Sequence, residues 1–175
     1  MFTTSSSRAR HPTIRWNNPG FSRLRAWLLV LLWAAVIFGF STDTFSSDHT
    51  QTVVVEILQV LLPHAPAPTL LTLHDFVRKC AHFGNYFVFG LLLFRAIRMP
   101  EKGWAWRWAL LAVLIAALYA SSDEIHQMFV PSREASIWDA LLDTGSAAVA
   151  QWVAWLATRH QSSPGVEEVS PRVPG

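Results

Sequence analysis

The chain has 175 residues, 51% of them hydrophobic and only 15% charged, with nine Trp and eleven Phe. Soluble domains average near a quarter charged, so this composition points to lipid rather than water as the surroundings. A net charge of +2 scattered between apolar runs argues against a nucleic-acid recognition surface, and a single cysteine, Cys80, excludes an internal disulfide.

Residues 1–23, with Ser5, Ser6, Ser7, Arg8, Arg10, Arg15 and Arg23, read as a flexible basic arm. The first apolar run, Ala26–Phe40, follows. More than twenty residues precede it and no small-x-small cleavage site follows Phe40, so it reads as a signal-anchor helix spanning about 24–42 rather than a cleaved signal peptide. Between 41 and 75, Ser46, Ser47 and Asp48 offer a helix N-cap. Val53, Val54, Ile57, Leu58, Leu61 and Leu62 then share one helical face, and Pro63, Pro66 and Pro68 end the segment. This predicts a short helix either lying in the membrane interface or packed on the bundle. Three further apolar runs, Ala81–Phe94, Trp108–Ser122 and Ala140–Thr158, predict spans over about 78–97, 106–125 and 138–158. The end from Gln161, rich in Pro with Glu167 and Glu168, reads as a disordered tail. The expected fold is therefore all-α: a four-helix membrane bundle over 24–160 with a short helix in its first outer loop.

Basic residues favour the cytoplasmic side of short loops. The N-terminal arm, the loop with Arg95, Arg98, Lys102 and Arg107, and Arg159 all satisfy that rule if both termini are cytoplasmic. Arg78 and Lys79 are the exceptions, at the outer start of the second span. Trp27, Trp104, Trp106, Trp108, Trp152 and Trp155 fit inner-interface anchors.

The outer end gathers the unusual chemistry. Lys79, His82, Tyr86 and Gly90 step by three or four and share a helix face. Asp123, His126 and Gln127 share another; Glu124 sits beside them, Arg133 follows Pro131, and Asp139 and Asp143 are four apart. Crossing the hydrocarbon core takes about 20 residues. The uncharged runs Ala81–Phe94 and Trp108–Ser122 hold only 14 and 15. Their polar flanks are therefore drawn into the outer rim, where each charge facing lipid costs on the order of 2–3 kcal/mol. The helices should turn these groups toward one another.

These residues resemble the VanZ-like membrane proteins. Lys79-x-x-His82-x-x-x-Tyr86-x-x-x-Gly90 matches one pattern of that family. Asp123-Glu124-x-His126-Gln127-x-Phe129-x-Pro131-x-Arg133, with Asp139 six residues on, matches another, and Phe38-Gly39-Phe40-Ser41 is also similar. The resemblance covers roughly residues 26–155. The chain departs from it at Asp143, where Asn is usual, and at Ser146 and Ala150, where glycines are usual. The resemblance implies a bacterial envelope setting, and the founding member is associated with low-level resistance to the glycopeptide teicoplanin.

Several readings of the cluster stand beside one another. Arg78, Lys79 and Arg133 suit a phosphate or carboxylate, with His82, Tyr86, Asp123, Glu124, His126, Gln127 and Asp139 completing a site for a lipid-linked or glycopeptide envelope component. Tyr86, Phe129 and Trp138 could add apolar contact. Asp123, Glu124, His82 and His126 also form a plausible acid–base set for an enzyme, although Ser121, Ser122 and Cys80 stand in no nucleophile motif. A purely structural charge network is a third reading. The outer histidines His49, His64, His74, His82 and His126 lack a standard zinc spacing, so neither a metal nor another cofactor is expected. The inner halves of the spans offer only Gln151 for a proton or ion path. The orientation predicts that a periplasm-active reporter fused after Arg133 is active and one fused after Lys102 silent; the reverse pattern would move the cluster to the cytoplasm.

Overall fold

The computed structural model describes residues 19–42, 47–130 and 135–160. Most of the basic arm, the tail and Arg133 lie outside them. The described residues form five helices and no strand: α1 (Pro19–Ser41), α2 (Ser47–Leu61), α3 (Ala67–Arg98), α4 (Trp106–Gln127) and α5 (Ile137–His160). Three of these, α1, α3 and α4, are long and apolar enough to cross a membrane. Asp139, Asp143 and Gln151 make α5 less apolar. Large apolar side chains point away from the packed interior, among them Leu28, Leu31 and Leu32 on α1 and Leu110, Leu114 and Leu118 on α4. In water such a surface invites aggregation; against acyl chains it is the expected exterior.

At 1.5 Å per residue, α3 is about 48 Å long, against about 30 Å of hydrocarbon. It starts at Ala67, well before the expected span start at 78. Pro66 is its extended N-cap and Pro68 lies in its first turn, where a missing N–H leaves no helical bond unmade. The prolines read as terminating α2 thus also initiate α3. The early part of α3 packs against α2, and α3 touches every other helix. Val54 and Leu58 of α2 are half-buried, while Val53, Ile57 and Val60 on the neighbouring flank remain exposed. Of the two expectations for this helix, packing against the other helices is seen, and its other flank stays apolar and open.

The α3–α5 contact is the closest. A Cβ built on Gly90 would lie 3.0 Å from Ala147 Cα and 3.1 Å from its carbonyl oxygen. Gln151 donates to the carbonyls of Gly90 (3.0 Å) and Ala147 (3.2 Å). On α4, Ala109, Ala112, Ala116 and Ala120 form a fully packed stripe, and small residues of this kind let helix backbones approach. The same stripe ends in Asp123 and Gln127, both buried. Helix α1 is tied on by side chain to carbonyl bonds: the Trp33 indole donates to Asn85 (3.0 Å), and the Tyr119 hydroxyl to Ala34 (2.7 Å).

The two ends of the helices differ in charge. Arg25, Arg98, Arg107 and Arg159 lie within 5.9, 5.6, 5.2 and 4.2 Å of the rings of Phe21, Phe94, Trp108 and Trp155. Between α3 and α4, Gly103 adopts φ 89°, a conformation that side chains disfavour, and its carbonyl accepts from Arg98 (2.9 Å). The opposite end holds Asp123, Glu124, Asp139 and Asp143. Substituting Gly90→Val should lower the apparent Tm of the detergent-purified protein, with an overpacking cost of about 1–3 kcal/mol. Gly84→Val, with nothing within 4 Å of its Cβ, should leave the Tm nearly unchanged. Adding Ala147→Gly to Gly90→Val should rescue little, because the introduced valine side chain would still meet backbone.

Candidate functional site

At the carboxylate end, α3 and α5 pair along a regular ladder. Arg78 Nη2 lies 3.6 Å from Asp139 Oδ2, and His82 Nδ1 lies 3.4 Å from Asp143 Oδ2. Both pairs keep the sequence offset of 61 residues that also joins Gly90 to Gln151. A constant positive offset means that the two helices run parallel. Rungs four residues apart follow the i±4 ridge of each helix.

That ridge explains the placement of the outermost base. Stepping back from His82 by four reaches Arg78, which is half-buried; Lys79, three back, rotates off the ridge and is exposed. Sequence reasoning placed Lys79 on this face with His82, Tyr86 and Gly90. The structure instead gives the inward position to Arg78 and retains the other three.

On α4, Gln127 Nε2 donates to Asp123 Oδ2 (3.1 Å) and reaches Ser41 Oγ of α1 (3.3 Å). His126 is half-buried, its ring 4.9 Å from that of Phe38 and edge-on to it. Glu124 Oε2 accepts from the Ser136 N–H (2.7 Å). Ser136 in turn accepts from the N–H groups of Asp139 and Ala140 through its carbonyl. Glu124 therefore fixes the entry of α5 and with it the first rung of the ladder. This role had no sequence signal beyond the carboxylate itself. Phe129 and Trp138, candidates for ligand contact, are 81% and 75% exposed, so the structure does not bring them to Tyr86. Arg133 lies outside the described residues.

A cavity of about 240 Å³ opens where α1, α2, α3 and α4 converge at this end. Ser41, His74, Arg78, His82, Tyr86 and Asp123 supply its polar wall; Ile37, Phe40, Val54 and Val77 are among its apolar groups. Sequence reasoning missed Ser41 and Asn85 as wall residues; Ser41 lay within the Phe-Gly-Phe-Ser signature at the end of α1. Ser121 and Ser122 are exposed and bond back to the Ala117 and Tyr119 carbonyls, so neither hydroxyl is set beside His82. Among the described residues no three His, Cys, Asp or Glu side chains are arranged to hold a metal ion.

Long apolar helices enclosing a cluster of buried acids, bases and amides at one end define a helical membrane protein with a polar site at its rim. The match to the VanZ/LLP1 family model runs over residues 26–158, and the chain belongs to that family. Neither the curated proteins nor the solved structures contain a match to it.

Asp143 is 1% exposed at its side chain, and His82 is 21% exposed. Truncating His82→Ala strands a buried carboxylate and should cost roughly 3 kcal/mol. Asp143→Leu should cost less, since His82 keeps access to the rim. The double variant should recover most of the His82→Ala loss, as read from apparent Tm values; strict additivity would show that the pair does not interact.

Proposed function

We propose that the chain is a four-span protein of the bacterial cytoplasmic membrane, with both termini cytoplasmic. In this reading it binds a phosphate-bearing, lipid-linked component of the envelope through the cavity at its outer end. The observation that supports the proposal is the cavity, whose wall sets Arg78 and His82 beside apolar groups. Helix α5 serves as the fourth span: it is 24 residues long, and its polar groups turn inward to α3 rather than to lipid.

Volume discriminates between the envelope ligands. Sites that enclose a drug-sized molecule measure roughly 300–1,000 Å³. About 240 Å³ admits a head group or a chain end, and a whole glycopeptide antibiotic does not fit. Reduced teicoplanin susceptibility would then follow from altered handling of an envelope lipid rather than from capture of the drug.

Arg78→Ala should abolish retention of a phosphate-bearing lipid through purification while leaving accumulation intact, as read by native mass spectrometry. Lys79→Ala and Arg133→Ala test the remaining bases of the motif. In cells, the same variants should lose any gain in teicoplanin tolerance that the parent chain gives. Full lipid retention in all three variants, or failure of all three to accumulate, would instead make the cluster a structural charge network. Normal binding with loss of a lipid-modifying turnover in Glu124→Gln would favour the acid–base enzyme.

A further inference from the structure

Two polar atoms in the cavity wall lack a hydrogen-bond partner among the described residues. Asp123 is 5% exposed and Tyr86 1% exposed, and both line the cavity. Gln127 occupies Asp123 Oδ2; Asp123 Oδ1 and the Tyr86 hydroxyl have no hydrogen-bond partner among the described residues. A buried acceptor left unmet costs about 1–3 kcal/mol, and more when it is charged. The neighbourhood is also acidic. Asp123, Glu124, Asp139 and Asp143 face one another there, and Arg78 and His82 are the bases paired to them among the described residues. A purely anionic guest would therefore gain at Arg78 and be repelled at Asp123.

We propose that the cavity recognises a zwitterionic group: a phosphate ester bearing a primary ammonium. Arg78 takes the phosphate, for which a guanidinium is suited. Asp123 Oδ1 and the Tyr86 hydroxyl oxygen accept N–H groups from the ammonium. A primary ammonium offers three donors, whereas a quaternary one has none and is held by an aromatic cage. Among the described residues the aromatic wall here consists of Phe40 and Tyr86, too few for a cage, so the site favours the primary amine. This assignment rests on the binding reading above and gives it a ligand class, the aminophospholipid head group.

The test uses the full chain in an uncharged sugar detergent, reloaded separately with phosphatidylethanolamine, phosphatidylcholine and phosphatidylglycerol of matched acyl chains. Retention is read by native mass spectrometry. Phosphatidylethanolamine should be held about tenfold more tightly than either of the others. Asp123→Asn and Tyr86→Phe should each bring it down to their level, and Arg78→Gln should weaken all three lipids. Tyr86→Phe removes only a hydroxyl, so the test stands even if Asp123→Asn fails to accumulate. Displacement by free phosphoethanolamine would assign recognition to the head group alone; selective retention that resists it would assign the membrane lipid. Equal retention of the three lipids overturns the inference and leaves the binding reading in place. So does a loss in Tyr86→Phe that is the same for every lipid. Retention of no lipid overturns both.

Discussion

The parallel contact between α3 and α5 is the constraint on which the remaining geometry depends. Gly90 removes the one side chain that would hold the backbones apart, and Gln151 then reaches across to the Gly90 carbonyl. With that rung fixed, the offset of 61 residues repeats two and three turns outward and brings Asp143 to His82 and Asp139 to Arg78. A slip of one residue would rotate these groups by about 100° and leave Asp143 facing apolar surface. Registry is what buried polar pairs enforce best, whether or not they add net stability. Glu124 secures the same register from the other side by holding the Ser136 N–H at the entry of α5.

Helix α4 fits this frame because its packed stripe changes character along its length. Alanines occupy it through the apolar interior, and Asp123 and Gln127 continue it at the rim. The polar cluster is thus an extension of the helix-packing surface, built from the positions that elsewhere bury methyl groups. The cavity forms where that surface runs out, beneath α2 and beside the end of α1. The surplus length of α3 gives α2 its support there, so the long helix and the short one together determine how the site is covered.

Much of this was legible in sequence. Apolar run lengths located the long helices; of the polar flanks that the two short runs were expected to draw inward, Asp123 and Glu124 are buried and His82 half-buried, while Lys79 is exposed. The motif residues His82, Tyr86, Asp123, Glu124 and Gln127 did converge. What sequence could not supply was the phase of packing. Lys79 and Arg78 are adjacent bases, and only the i±4 ridge against α5 selects Arg78. The prolines after α2 marked a boundary, yet nothing local showed that the next helix begins at once, because proline serves both ends of such a junction. Asp143 stood out as a departure from the family pattern; its partner, His82, was identifiable only once the parallel offset of the two helices was known.

The contrast between the two ends bears most directly on function. At the basic end, arginines lie over aromatic rings at the surface, an arrangement suited to anchoring at an interface, where the charged head stays hydrated and the stem covers apolar area. Among the described residues that end leaves Arg98 Nε and Trp104 Nε1 buried without a partner, both of them donors. At the acidic end the charges are turned into the bundle and matched in register, and still Asp123, Glu124 and Asp143 each keep one carboxylate oxygen unpartnered among the described residues. Structural pairing alone would favour a network closed on itself. An acceptor surplus of this kind beside a cavity is the feature of the described residues on which the proposed binding reading draws.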